Sequence, residues 1–331
     1  MFAIGVLRRK GPFVYNDGMK AKIFIDGSEG TTGLRIHERF ARRDDIELLT
    51  ISADLRKDPA ERKRLINESD ITFLCLPDAA AREAVSLVEN ENVRIIDTST
   101  AHRTEEGWAY GFPELSEKHR NAIKNGKRIA VPGCHATGFI STVYPLVSEG
   151  ILPADYPISA FSLTGYSGGG KKMIAEYEAE GRPELLDAPR MYGISQKHKH
   201  LPEMSAVCGL ENAPVFCPIV APYYAGMEVT VPLFKSNVNG TVSDIEEVFA
   251  QYYNGSGLVR FVKDAGEEGF MSAGAFAGRD DMEVTVTGND ERILLVSRFD
   301  NLGKGASGAA IQNMNIVMGA DETAGLVVGG K

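Results

Sequence analysis

At 331 residues the chain is long enough to bury a large core and to divide into two domains. Its 43% hydrophobic and 24% charged residues are ordinary for a soluble globular protein, and no apolar run approaches the roughly 18–20 residues that span a bilayer. A net charge of −9 argues against a nucleic-acid surface, which is normally basic, but leaves room for an anionic small substrate held in a local basic pocket.

Residues 1–18 carry a few basic and apolar residues in an order that fits neither a signal peptide nor a strand, and are expected to form an N-terminal extension outside the fold. From there the chain alternates. Strands are expected at residues 22–26, 46–51, 71–76 and 93–97, with helices at 34–42, 59–67 and 79–89 between them. Continuous apolar strands separated by helices read as a parallel sheet covered on both faces. A further short strand at 128–131 leads into an apolar helical run at 139–147. Beyond it the texture changes to period-2 alternation at 227–234 and 282–287 and a β-rich run at 292–299, which predicts a mixed or antiparallel sheet with one helix-bearing face. Ser243 with Glu246 reads as a capping box opening a helix, and 305–318 as a small-residue-rich helix.

The first strand ends in Asp26-Gly27-Ser28-Glu29-Gly30-Thr31-Thr32-Gly33, a G-x-x-G-x-x-G turn between a strand and a helix. Glycines there let the backbone turn tightly and approach a pyrophosphate held by the helix N-terminus. Gly27, Ser28, Gly30, Thr31, Thr32 and Gly33 are therefore candidate cofactor residues, with Glu29 expected to point to solvent, since a buried carboxylate would repel the pyrophosphate. At the end of the second strand Ser52 and Arg56 suit a 2′-phosphate, whereas Asp54 suits a ribose hydroxyl. The balance favours NADP.

The second constellation is Cys134, in Val131-Pro132-Gly133-Cys134-His135, together with His198-Lys199-His200-Leu201-Pro202-Glu203. A thiol at a strand-to-helix junction meets unpaired N–H groups and the positive end of the helix dipole, which favour a thiolate. A histidine moves protons at the acyl carbon that such a thiolate attacks. Two histidines at i, i+2 would share one face of a strand and could be metal ligands, but no third and fourth ligand stand at sensible spacing, so no metal is expected. His135 is expected to point away from the nucleophile and to pack or cap. Arg103, after the fourth strand, could hold a phosphate or carboxylate, and Ser167 and Lys171 in Tyr166-Ser167-Gly168-Gly169-Gly170-Lys171 could receive an acidic substrate tail. Cys75, Cys208 and Cys217 form no C-x-x-C pair and read as packing residues in a reduced chain.

Four motifs in this order — Gly27 to Gly33, Pro132-Gly133-Cys134, His198 to Glu203, and Asn301-Leu302-Gly303-Lys304-Gly305-Ala306-Ser307-Gly308 — resemble those of the N-acetyl-gamma-glutamyl-phosphate reductases, in the short-form (type 2) branch of this arginine-biosynthesis family. The resemblance runs over residues 20–331. It implies a Rossmann-like parallel-sheet dinucleotide domain of residues 19–134 and 301–331, and an α+β catalytic and oligomerisation domain of residues 135–300. It also implies NADPH, an acyl phosphate substrate and a cytoplasmic homodimer or homotetramer. Carried over by motif, Cys134 is the nucleophile of a thioester route, His200 the acid/base with His198 the weaker candidate, Glu203 a substrate-site residue, and Asn313 a contact of the nicotinamide amide. A reductase of aspartyl or aminoadipyl phosphate, and a dinucleotide-binding redox sensor, are the alternatives.

Overall fold

A computed structural model describes residues 20–329, so the expected extension at 1–18 lies outside the described residues. The first sheet is built from β1 (Ala21–Asp26), β2 (Ile46–Leu49), β3 (Ile71–Leu74), β4 (Arg94–Asp97), β5 (Ala109–Tyr110) and β6 (Arg128–Ala130). It is parallel throughout, in the order β2-β1-β3-β4-β6-β5. The helices between the strands are α1 (Thr31–Phe40), α2 (Pro59–Glu68), α3 (Asp78–Ser86) and α4 (Glu117–Asn125), and α5 (Cys134–Ser148) leaves the sheet after β6. Successive side chains of β1 part to opposite faces, as a strand requires. Ile23 and Ile25 join a cluster with Ile36 of α1 and Ile123 of α4, whereas Phe24 joins Leu65 and Ile66 of α2 and Ala81 and Ala84 of α3.

The second sheet comprises β7 (Ser159–Gly165), β8 (Arg190–Met191), β9 (Val215–Ala221), β10 (Met227–Phe234), β11 (Val259–Phe261), β12 (Met282–Gly288) and β13 (Arg292–Phe299). It is mixed, in the order β11-β12-β13-β10-β7-β9-β8, with parallel pairs at β11/β12 and β7/β9. Alternation in β10 sends Met227, Val229, Val231 and Leu233 inward. They pack with Phe139, Ile140 and Val143 of α5 and with Ile245 and Phe249 of α8 (Val242–Tyr252), and α7 (Leu201–Cys208) covers the same face through Met204. The predicted helix-bearing face is present. The capping box is not where it was expected. Thr241, in extended conformation, accepts from the Asp244 N–H and Asp244 accepts from the Thr241 N–H, so Ser243 already lies inside the first turn.

The last helix, α9 (Gly308–Met318), does not stay with the second sheet. After β13 the chain runs through Asn301 and a π-helical turn at Gly303–Ser307, then places Ala310, Ile311, Met314 and Val317 in the cluster that holds Ile23, Ile71 and Ile96 of the first sheet. Asp300 fixes this return: its carboxylate accepts from the Leu302 and Gly303 N–H groups at 2.7 and 2.9 Å. The remaining helix, α6 (Gly170–Glu178), follows β7.

Candidate active site

Cys134 is the first residue of α5, and its N-cap, Gly133, contributes no side-chain cap. The sulfur therefore meets a helix start whose N–H groups are unclaimed by any capping side chain. Cys134, Arg103, His198, Lys199, His200 and Tyr192 line one cavity of about 360 Å³, together with Asn301, Gly305 and Ala306 from the returning segment. Gly133 is required by close approach: a Cβ there would collide with the Arg103 guanidinium and the His200 ring, so those two groups converge on the residue that precedes Cys134.

His198 and His200 do not share a strand face, as their i, i+2 spacing suggested. Pro202 sits in the first turn of α7, and His200 becomes the N-cap of that helix. The His200 N–H donates to His198 Nδ1 at 3.2 Å, and the two rings meet edge to face with centroids 4.8 Å apart. His200 is buried and its Nδ1 has no partner. His135 does pack, but against the site and not away from it. Its ring lies 5.5 Å from that of His200, with Nδ1 2.7 Å from Ser162 Oγ and Nε2 2.5 Å from the Tyr192 hydroxyl.

Burial and crowding by positive neighbours hold all three imidazoles in the neutral form. His200 is pushed well below its ordinary value by burial and then by Arg103, His135, His198 and Lys199. His198 is pushed down to about 4 and His135 to about 3, burial being the larger cause in each. The thiol also differs from the expectation of a stabilised thiolate. Burial pushes Cys134 up, and Arg103, the His135 N–H and Lys199 only partly oppose it. Both shifts favour the uncharged forms, a neutral thiol at Cys134 and a neutral imidazole at His200.

Arg103 is anchored on three sides. Its Nε donates to the Val131 carbonyl at 2.9 Å, Nη2 to that of Thr98 at 3.1 Å, and Nη1 to Glu203 Oε1 at 2.7 Å. Glu203 is 1% exposed and lies behind the cavity wall, so it is not placed to touch substrate as its motif implied. Of the loop at residues 166–172, Gly168 and Gly169 face the cavity; Ser167 is buried against the Asn301 amide at 2.9 Å, and Lys171 is exposed outside the lining. Three polar lining residues carried no signal specific enough to single them out: Lys199, Tyr192 and Asn301. Lys199 carries the clearest cue, a cation between two candidate histidines.

The groove beside the Gly27 to Gly33 turn suits an anionic cofactor. Gly27 adopts φ +89°, and a Cβ on it would collide with the Cys75 carbonyl, so the turn after β1 requires glycine. Gly30 caps α1 without a side-chain bond, and Thr31 Oγ1 is buried there with no partner. An anion at this helix start would meet free N–H groups and an unpaired hydroxyl. A cavity of about 390 Å³ runs from Gly27, Ser28 and Glu29 to Ala53, Asp54 and Arg56. A second, of about 250 Å³, carries it past Gly30, Thr31 and Thr32 to Arg103 and Lys199, which also line the cavity at Cys134. Arg56 is held by Glu29 at 3.1 Å; the Glu29 side chain is 65% exposed, as expected, but it lines the groove and reaches Arg56 of the same lining. Ser52 is exposed and is not part of the lining, because the chain turns there and its carbonyl receives the Leu55 N–H at 3.1 Å. Asn313 is buried in α9, its amide donating to the Gly111 and Ala309 carbonyls at 2.9 and 2.8 Å, with Oδ1 left unpaired and outside the cavity lining.

Among the described residues no helix is long and apolar enough to cross a membrane, and no group of three or more His, Cys, Asp or Glu is arranged to hold a metal ion.

The chain matches two family profiles: the NAD binding domain of semialdehyde dehydrogenase over residues 22–125, and the semialdehyde dehydrogenase dimerisation domain over residues 134–301. It is 46% identical over 320 residues to N-acetyl-gamma-glutamyl-phosphate reductase 2 of Nostoc sp., covering 93% of this chain and 99% of that protein. It is also 46% identical over 309 residues to N-acetyl-gamma-glutamyl-phosphate reductase of Brucella anthropi, covering 91% and 99%. In fold it is similar to aspartate semialdehyde dehydrogenase II of Vibrio cholerae, with a TM-score of 0.69 at 15% identity over 91% of this chain and 98% of that one. A second fold neighbour is aspartate semialdehyde dehydrogenase of Candida albicans, solved with NADP, with a TM-score of 0.64 at 14% identity over 91% of this chain and 99% of that one. With both profiles matched over most of the chain and relatives at 46% identity over nearly their whole length, the chain belongs to the N-acetyl-gamma-glutamyl-phosphate reductase family of the semialdehyde dehydrogenases.

Proposed function

We propose that the enzyme reduces N-acetyl-L-glutamyl 5-phosphate to N-acetyl-L-glutamate 5-semialdehyde and phosphate with NADPH. The observation that carries this reading is the placement of Cys134, at a helix start in a cavity shared with Arg103 and His200 and continuous with the dinucleotide groove. Residues 19–134 with 301–331 are taken as the dinucleotide part, and 135–300 as the catalytic and oligomerising part.

His200 accepts the Cys134 proton, and the thiolate forms a bond to the acyl carbon. The acyl C–O bond breaks and phosphate departs with its electron pair, steadied by the Arg103 charge. N–H groups at the start of α5 hold the oxyanion of each tetrahedral state. Gly27, Gly30, Thr31, Thr32, Gly33 and Arg56 hold the cofactor, which when bound supplies the hydride that reduces the Cys134 thioester. The C–S bond of the resulting thiohemiacetal then breaks, returning the thiolate and releasing the semialdehyde, with His200 taking and giving the proton. The covalent route makes the chemistry feasible, because a thioester accepts hydride where a carboxylate does not.

The direct test is phosphate-dependent NADP reduction with N-acetylglutamate semialdehyde, run beside aspartate semialdehyde. Turnover with the acetylated compound alone is expected; turnover with aspartate semialdehyde alone would reassign the substrate while keeping the chemistry.

The reading includes a cytoplasmic homodimer or homotetramer. All four cysteines are free, as suits a reducing compartment. The face of the second sheet opposite α5 leaves apolar side chains uncovered: Phe161 is 42% and Val215 57% exposed. Phe161 is central there, registered against Cys217 on one side and Thr230 on the other. Phe161→Asp is expected to convert the oligomer to monomer in sedimentation velocity. An unchanged sedimentation coefficient would move the interface elsewhere.

A further inference from the structure

We infer that Glu203 is a positioning residue that locks the nucleophile turn, the adjoining cation and the acid/base histidine into one unit. The inference rests on the roles proposed above for Cys134 and His200. Glu203 Oε1 accepts from Arg103 Nη1 at 2.7 Å, and Oε2 accepts from the Tyr110 hydroxyl at 2.9 Å and from the Gly133 N–H at 3.2 Å. Each donor comes from a different strand end: Arg103 follows β4, Tyr110 closes β5 and Gly133 follows β6. Glu203 itself belongs to the first turn of α7, three residues beyond the N-cap His200.

One buried carboxylate thus joins the helix that carries His200 to the residue preceding Cys134. Residues three apart on a helix turn lie on one face, so a shift of Glu203 carries His200 with it relative to the sulfur. An ionised carboxylate is acceptor-only and serves all three donors at once; a glutamine amide would turn N–H groups toward at least one of them. Arg103 is tied at its other nitrogens to the Val131 and Thr98 carbonyls, so the ion pair also holds a cation across the ends of β4 and β6. The charged and titratable groups facing Cys134 are Arg103 from the loop after β4, His198, Lys199 and His200 ahead of α7, His135 on α5 and Tyr192, with the Glu203 charge of α7 acting from behind the wall.

The test compares Glu203→Gln and Glu203→Asp with wild type by steady-state kinetics and by the pH dependence of iodoacetamide alkylation of Cys134, in protein whose near-ultraviolet circular dichroism matches wild type. For Glu203→Gln, kcat is expected to fall about 100-fold with KM for the semialdehyde within about threefold, the signature of lost geometry and not lost contact. The alkylation midpoint is expected to move to lower pH, because Arg103 would act on the thiol without its counter-charge. Glu203→Asp keeps the charge but shortens the reach, so it should keep the wild-type alkylation profile while losing kcat. Should Glu203→Gln not fold, Tyr110→Phe, which leaves the ion pair intact, is expected to lower kcat about 5- to 10-fold at unchanged KM, the size of a lost orienting hydrogen bond. A folded Glu203→Gln with wild-type kcat and alkylation profile overturns the assignment, as does a loss confined to KM, or a Tyr110→Phe enzyme with wild-type kcat. Alkylation needs no substrate, so a mistaken choice of acyl phosphate would appear as an inactive wild type and leave this readout intact.

Discussion

Cys134→Ser is expected to lower turnover by on the order of 10⁴-fold or more while leaving dinucleotide binding within about twofold of wild type. The hydroxyl occupies the same place at the start of α5, so the cavity, the Glu203 contact to Gly133 and the groove at Gly27 to Gly33 are unaltered. What changes is the proton: a neutral histidine can take one from a thiol but scarcely from an alcohol, and an oxygen ester is a poorer hydride acceptor than a thioester. Phosphate-dependent NADP reduction measures the loss, and quenching of protein fluorescence by NADPH measures what is retained. Residual turnover above about 1% of wild type would falsify the thioester route, because removing an essential nucleophile leaves only the contribution of binding and the oxyanion site.

His200→Ala is expected to reduce kcat about 10²- to 10⁴-fold, the usual worth of a positioned acid/base, and His198→Ala much less. The asymmetry follows from placement. Nε2 of His200 lies beside Gly133, next to the nucleophile, whereas His198 supports His200 by accepting its backbone N–H. The pH profile gives a second check. His200 lies well below the ordinary histidine value and the Cys134 thiol is pushed up. A base that remains unprotonated through neutral pH places no limb near pH 6.5. A thiol with a raised pKa makes kcat/KM climb as pH rises. A climb from about pH 6 to pH 9 without a histidine step is therefore expected. An acid limb centred near 6.5 that vanishes in His200→Ala would mean that the imidazole is not held neutral.

Local signals carried the first sheet. β1 to β4 are short apolar runs bounded by helices with clear starts, and the Gly27 to Gly33 turn stands where its spacing put it. In the second sheet β10, β12 and β13 were legible, the first two by period-2 alternation, although Glu283 and Thr285 of β12 are buried along with Met282 and Val284. β7 and β9 pair with each other far apart in sequence, and their inward positions include Ser162, Thr164 and Pro218, which blur the apolar alternation. The cavity shows the same division. Cys134 and both histidines have chemistry that marks them in any sequence; Glu203 was marked by its motif alone, and its three donors, like the lining Tyr192, become visible only when distant elements meet. The misplaced capping box has a smaller cause: Thr241–Asp244 and Ser243–Glu246 are equally good sequence signals, and the extended backbone at Thr241 decides between them.

The return of α9 has a consequence for the life of the chain before it is complete. The apolar face of Ile23, Ile71 and Ile96 is closed by Ile311, Met314 and Val317, roughly 200 or more residues later in the chain. During synthesis the amino-terminal strands leave the ribosome long before their last partner exists, while the whole second sheet is made in between. At about 5–20 residues per second this leaves on the order of 10–60 seconds in which a sticky surface is bare. A nascent chain halted before residue 308 would thus present that surface to chaperones, and release of the final helix, not of the first six strands, would mark the moment the first sheet becomes a finished body.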